Sequence, residues 1–125
     1  MTMPQNVRPC SVYNRAAVAA QRNRWEDNVP GYLIANLEVT DPAGFEEYRQ
    51  KVSPLIAQFG GRYLVRGGDV RTLEGSLPIR RLVVLEFPSV EAAQRFYDCP
   101  EYQPLLKIRL ASTKSDLVLA AGYSP

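Results

Sequence analysis

The chain of 125 residues predicts one α+β domain built in the order βαββαβ, and three observations carry that expectation. Apolar residues gather in four short strand-like stretches, near 32–39, 62–66, 80–87 and 116–122, the first of which alternates as a half-buried strand requires. Between the first and second stretches, and again between the third and fourth, they recur at helical spacing. Gly60-Gly61, Gly67-Gly68 and Cys99-Pro100 stand where one period gives way to another. Four strands and two helical segments in this order form an antiparallel sheet with the helices on one face.

Residues 1–29 read as an N-terminal extension and residues 30–125 as the domain. Pro4 and Pro9 interrupt a tail without periodicity over residues 1–12. Residues 13–27 are rich in alanine and arginine and suit a short helix. Arg8, Arg15, Arg22 and Arg24 precede any acid, as in a targeting leader, yet few serines and weak amphipathicity favour an extension that packs on the domain or its partner.

The first strand runs from Tyr32 to Val39, with Leu33, Ala35, Leu37 and Val39 on one face and Tyr32, Ile34, Asn36 and Glu38 on the other. Asp41-Pro42 supplies a capping acceptor and a proline at the first helical position. Phe45, Tyr48, Val52, Leu55, Ile56 and Phe59 then continue to Gly60-Gly61, with Pro54 expected to kink or break the helix near Val52. Strand two covers Arg62 to Arg66 and strand three Arg80 to Phe87, joined by a loop over residues 69–79 that turns at Gly75 and Pro78. Ser89 caps a helix whose Ala93, Phe96 and Tyr97 face inward. Pro100 restarts a short helix carrying Tyr102, Leu105, Leu106 and Leu110, and the last strand is Asp116 to Gly122.

By strand parity the face without helices carries Ile34, Leu64, Leu82 and Val84, interleaved with Asn36, Arg66 and Glu86. That face is too apolar for a solvated surface and too polar for a dry core. Burying it against a second copy of the chain leaves a mixed cavity, so the pattern predicts a homodimer joined sheet to sheet.

Composition removes several function classes. Hydrophobic residues make up 46% of the chain and charged residues 22%, the mixture of a soluble domain. No apolar run approaches the roughly 20 residues that span a bilayer, so no membrane role is expected. A net charge of +2 lacks the basic footprint of a nucleic-acid binder. Cys10 and Cys99 are far apart without CxxC spacing, which points to a reducing, cytoplasmic compartment and away from a zinc site. The chain has no histidine, so a Ser-His or Cys-His dyad and histidine-ligated iron are excluded. Neither a cofactor nor a metal is expected.

The run Gly60-Gly61-Arg62-Tyr63-Leu64-Val65-Arg66-Gly67-Gly68, then Leu73-Glu74-Gly75, then Leu82-Val83-Val84-Leu85-Glu86-Phe87-Pro88-Ser89, and Pro100-Glu101-Tyr102 followed by Arg109, resembles the family known as domain of unknown function 1330. The resemblance covers residues 31–123. It implies a ferredoxin-like fold that pairs into a dimeric α+β barrel, and no single activity. The wider superfamily includes cofactor-free monooxygenases, polyketide cyclases, lactone isomerases and haem enzymes. Many of these use a histidine, which this chain lacks.

Arg66 and Glu86 are the candidate catalytic residues. Parity places both on one sheet face, where Arg66 can hold a carboxylate or enolate oxygen while Glu86 moves a proton; the alternative is a structural ion pair. Asn36, Tyr97, Tyr102 and Arg109 are candidate ligand-binding residues. Asn36 can orient a carbonyl or serve as polar lining. Tyr97 and Tyr102 can act as acids beside Arg109 or serve as core, with Arg109 tied to Asp98, Glu101 or a carbonyl. Gly67-Gly68 and Gly75 match no phosphate-loop spacing and read as turns. Cys99 has no basic neighbour in sequence to make it a nucleophile. Two functions fit. One is a homodimeric barrel that binds a small organic molecule and catalyses cofactor-independent proton transfer, isomerisation or cyclisation. The other is a non-catalytic ligand-binding or assembly module whose polar barrel face is structural.

Overall fold

The computed structural model describes residues 29–124. The tail and helix expected over residues 1–28 lie outside the described residues. Seven elements follow in order: β1 (Gly31–Val39), α1 (Pro42–Gln58), β2 (Arg62–Arg66), β3 (Arg81–Phe87), α2 (Val90–Asp98), α3 (Tyr102–Ser112) and β4 (Thr113–Ala121). The strands form one antiparallel sheet in the order β2-β3-β1-β4.

The helix boundaries follow their local chemistry. The Asp41 side chain accepts the Gly44 amide at 3.3 Å, and Pro42 opens α1. Gly60, at φ 80°, and Gly61 close it by returning their amides to Ala57 and Ile56. The break expected at Pro54 does not occur: α1 continues to Gln58. Pro54 and Gln50 lie on the exposed side, so the Gln50 carbonyl that Pro54 cannot pair is open to solvent. Ser89 Oγ accepts the Ala92 amide at 3.0 Å and starts α2.

Strand β4 begins three residues earlier than its sequence pattern suggests. Ser112 Oγ donates to the Ile108 carbonyl and Thr113 Oγ1 to the Arg109 carbonyl, each at 2.7 Å. These bonds satisfy the last carbonyls of α3, and the chain passes straight into a strand with Thr113 opposite Val39.

Leu33, Leu85 and Phe87 from the sheet pack on Val52, Ile56, Ala93, Phe96 and Tyr102 from the helices. The Phe96 ring is central, 4.7 Å from Tyr102 and 5.3 Å from Phe87 between centroids. At Gly31 the sheet meets α2 so closely that a Cβ would lie 2.7 Å from the Ser89 carbonyl oxygen and the Val90 Cα. Val29, assigned to the extension by its position in sequence, is 1% exposed. The opposite sheet face carries Ile34, Leu82 and Val84, all partly buried, and the exposed Leu64 and Val118.

Candidate functional site

The geometry of the site turns on a β-bulge. Arg62 lies opposite Glu86 and Tyr63 opposite Leu85, but the next partners are Val65 with Val84 and Arg66 with Val83. One residue of β2, Leu64, is extra, and every side chain beyond it changes face relative to a regular strand. Arg66 therefore joins Tyr63 on the helix side. Its guanidinium lies 4.3 Å from the Tyr63 ring centroid and donates to Ser53 Oγ of α1 at 3.4 Å. The expectation that Arg66 and Glu86 share a face is corrected by this bulge.

Glu86 is held instead by Arg62 and Tyr32. Arg62 Nε and Nη2 reach Glu86 Oε1 at 2.8 and 2.7 Å, and the Tyr32 hydroxyl donates to Oε2 at 3.0 Å. The Arg62 hydrogen bonds, then that of Tyr32, hold the Glu86 carboxyl below its ordinary range. Donation to Glu86 in turn pushes the Tyr32 hydroxyl up. A carboxylate kept ionised by two donors on an open sheet face is a weak proton acceptor.

Between the sheet and the helices lies a cavity of about 60 Å³. Its apolar walls include Leu33, Ala35, Val83 and Leu85 from the strands and Val52 and Ile56 from α1. Its polar lining is one-sided in charge: Arg49, Arg66, Arg81 and Arg109, with Tyr48, Tyr63 and Tyr102. Among the described residues no aspartate or glutamate lines it.

Arg109 is the most enclosed of the four, at 5% exposure. Its Nη1 donates to Ser115 Oγ at 2.6 Å and its Nε to the Tyr102 hydroxyl at 3.4 Å. The ties expected to Asp98, Glu101 or a carbonyl are replaced by these two hydroxyls, because the side chain of α3 projects toward β4. The Tyr102 hydroxyl also pairs with that of Tyr48 at 2.9 Å. Burial, then the neighbouring Tyr102, pushes the Tyr48 hydroxyl far up, so it stays protonated. Burial alone draws Arg109 down, but Tyr102 and Tyr48 outweigh it and the guanidinium stays charged. Arg81 lies over the Phe45 ring at 5.3 Å, and the buried Nε atoms of Arg81 and Arg49 have no hydrogen-bond partner.

The structure thus places Arg66, Tyr102 and Arg109 on the walls of one cavity, and separates them from Glu86 and Asn36 on the other sheet face. The Asn36 amide donates to the Pro78 carbonyl and accepts from the Arg80 amide, both at 2.9 Å, pinning the loop after β2. Tyr97 stands beside Tyr102, with 5.6 Å between ring centroids, and does not line the cavity. Burial pushes the Cys99 thiol up, away from thiolate chemistry. Sequence reasoning missed Arg49, Arg81, Tyr63 and the hydroxyl role of Tyr48. Parity with Val83 and Leu85 already aims Arg81 at the helices, and Arg49 follows Phe45 by one helical turn; no comparable signal marks Tyr63. Among the described residues no group of three or more Cys, Asp or Glu is placed to hold a metal ion, and no helix is long and apolar enough to cross a membrane.

The family model described as domain of unknown function (DUF1330) matches residues 30–123. A search of curated proteins finds no match. Among solved structures, the RPA0582 protein of unknown function from Rhodopseudomonas palustris superposes with a TM-score of 0.70 at 18% identity, covering 95% of this chain and 97% of that one. A dimeric ferredoxin-like protein of unknown function from Thermobifida fusca gives 0.52 at 18% identity, over 79% of this chain and 96% of that one. SnoaB, a cofactor-independent oxygenase from Streptomyces nogalater, gives 0.51 at 17% identity, over 78% and 96%. At these identities the likeness is one of fold: an α+β, ferredoxin-like domain.

Proposed function

Because the chain belongs to the DUF1330 family, whose description names no activity, we propose its function from the cavity itself: it binds a small anionic organic molecule, a carboxylate or an enolate, between the sheet and the helices. The observation that carries this reading is the lining of four arginines without one acid. A buried cation without a counter-ion, as Arg109 is among the described residues, is costly, and an anion that enters relieves that cost while pairing with the planar donors. The apolar walls accept the organic body of the ligand.

The chemistry that suits such walls is cofactor-independent proton transfer, isomerisation or cyclisation of a substrate that arrives already ionised. Arg109 and Arg66 stabilise negative charge on oxygen, and the Tyr48–Tyr102 pair offers it a hydrogen bond. Among the described residues no aspartate, glutamate or lysine lines the walls, and Glu86 is on the other face of the sheet. That asymmetry also supports the second reading, a binding module that holds an anion without transforming it. The half-apolar open sheet face supports assembly of two copies into a homodimer, the arrangement named for the Thermobifida fusca protein.

The test is a thermal-shift series with small carboxylates against amines and alcohols of matched size. A ligand at a hundred times its Kd adds about 2.7 kcal/mol to stability. Carboxylates are expected to raise Tm and the matched amines to leave it unchanged. A series in which amines shift Tm as much as carboxylates refutes the anion reading.

A further inference from the structure

The four guanidinium groups are not gathered at one point. Arg66 ends β2, which is one edge of the sheet, and Arg109 is fastened to Ser115 on β4, which is the other edge. Three interstrand steps separate those strands, about 14 Å at the usual spacing. Arg49, Arg66 and Arg81 belong to the first side: Arg66 donates to Ser53 of α1, Arg81 covers Phe45 of α1, and Arg49 lies between those two positions on the same helix. Tyr48 and Tyr102 stand with Arg109. Two cationic poles therefore face each other across an apolar floor. Ala35, paired with Val83 on one side and Leu117 on the other, is the small residue in that floor and leaves room above it.

Neither pole has a carboxylate on the cavity wall among the described residues. Among the described residues no carboxylate pairs with Arg66, Arg81 or Arg109, and Arg49 has only Glu46, at 3.6 Å on the exposed side. The first pole holds two buried Nε donors with no partner, those of Arg49 and Arg81. At the second pole the two tyrosine hydroxyls share a single hydrogen bond, so one of their two protons is left to donate. One carboxylate engages a guanidinium with both oxygens and is too short to reach across strands about 14 Å apart. A single carboxylate at either pole leaves the other without an anion.

We propose that the ligand is a short dicarboxylate, one end held by Arg109 with Tyr48 or Tyr102, the other by Arg66 and Arg81. This rests on the anion-binding reading of the cavity and narrows it to a dianion. A cavity of about 60 Å³ holds about four waters, which suits a short carbon spacer with one carboxylate extending toward the exposed Arg66.

Isothermal titration of the full chain with succinate and with butyrate, acids of equal carbon number, tests the proposal. Succinate is expected to bind at least about tenfold more tightly, the return of one further charge-assisted contact. Arg66→Gln and, separately, Arg81→Gln are expected to bring succinate down toward butyrate. Equal affinity of the two acids for the wild-type chain overturns the dianion and leaves the anion cavity standing. A preference for succinate that survives both substitutions overturns the assignment of the poles. Failure of both acids to bind, with circular dichroism showing a folded protein, overturns the cavity reading as well.

Discussion

Replacing Tyr102 by Phe isolates the hydroxyl that joins Arg109 to Tyr48. The ring is retained, so its contacts with Phe96 at 4.7 Å and Tyr97 at 5.6 Å persist and the packing contribution cancels to first order. Two hydrogen bonds are lost. The Tyr48 bond at 2.9 Å has good length and contributes about 1 kcal/mol net. The Arg109 bond at 3.4 Å is long and weak in itself, but its loss leaves a buried Nε without an acceptor. Allowing about 1 kcal/mol for that group brings the total to about 2 kcal/mol. For a domain of this size Tm falls by roughly 8–12 °C. Thermal and urea unfolding measure the loss directly, and Tyr48→Phe and the double variant complete a cycle. Tyr48→Phe leaves Arg109 with Tyr102, so it costs less than Tyr102→Phe, and the double variant costs less than the sum of the two. A Tyr102→Phe protein as stable as wild type, with additive single effects, refutes the account of Arg109 as a guanidinium supported by this hydroxyl pair.

Glu86 is held below its ordinary value of 4.5, so the Arg62–Glu86–Tyr32 cluster contributes stability above that pH and loses it as pH falls through the folded value. Glu86→Gln is expected to flatten this part of the acid unfolding curve, and an unchanged curve contradicts the assignment. Tyr32 has the opposite sense: its raised hydroxyl keeps its contribution below pH 10.0 and loses it as pH rises further. Arginine at Leu82, in the middle of the open sheet face, is expected to shift sedimentation from dimer to monomer, because it brings unpaired charges into the proposed contact; a wild-type chain that sediments as a monomer at micromolar concentration removes the dimer altogether. Deleting residues 1–28 is expected to keep cooperative melting, whereas deleting Val29 as well forfeits a fully buried side chain and about 1.5–3 kcal/mol. Equal melting of the two truncations contradicts that placement of Val29.

The order of the elements and most of their ends were legible in the sequence because they depend on near neighbours. Asp41-Pro42, Ser89 and Gly60-Gly61 act on amides and carbonyls within a few positions, and strand alternation sorts Leu33, Leu85 and Phe87 to the core without reference to the rest of the chain. The early start of β4 was hidden because it depends on Ser112 and Thr113 reaching back to α3 carbonyls. The candidate site was harder to read for two physical reasons. Arg62–Arg66 alternates like any regular strand, and the extra residue at Leu64 exists only relative to the partner strand that it slips against. A single inserted position then turns Arg66 to the helix side, while Arg62, ahead of the bulge and opposite Glu86, is the arginine that pairs with it. Arg49 and Arg81 read as separate surface charges along the chain, and nothing in the sequence joins them to Arg66 and Arg109. Only when β2, β3, α1 and α3 close around one space do their like charges share a cavity, and it is on that shared field that the proposed anion site rests.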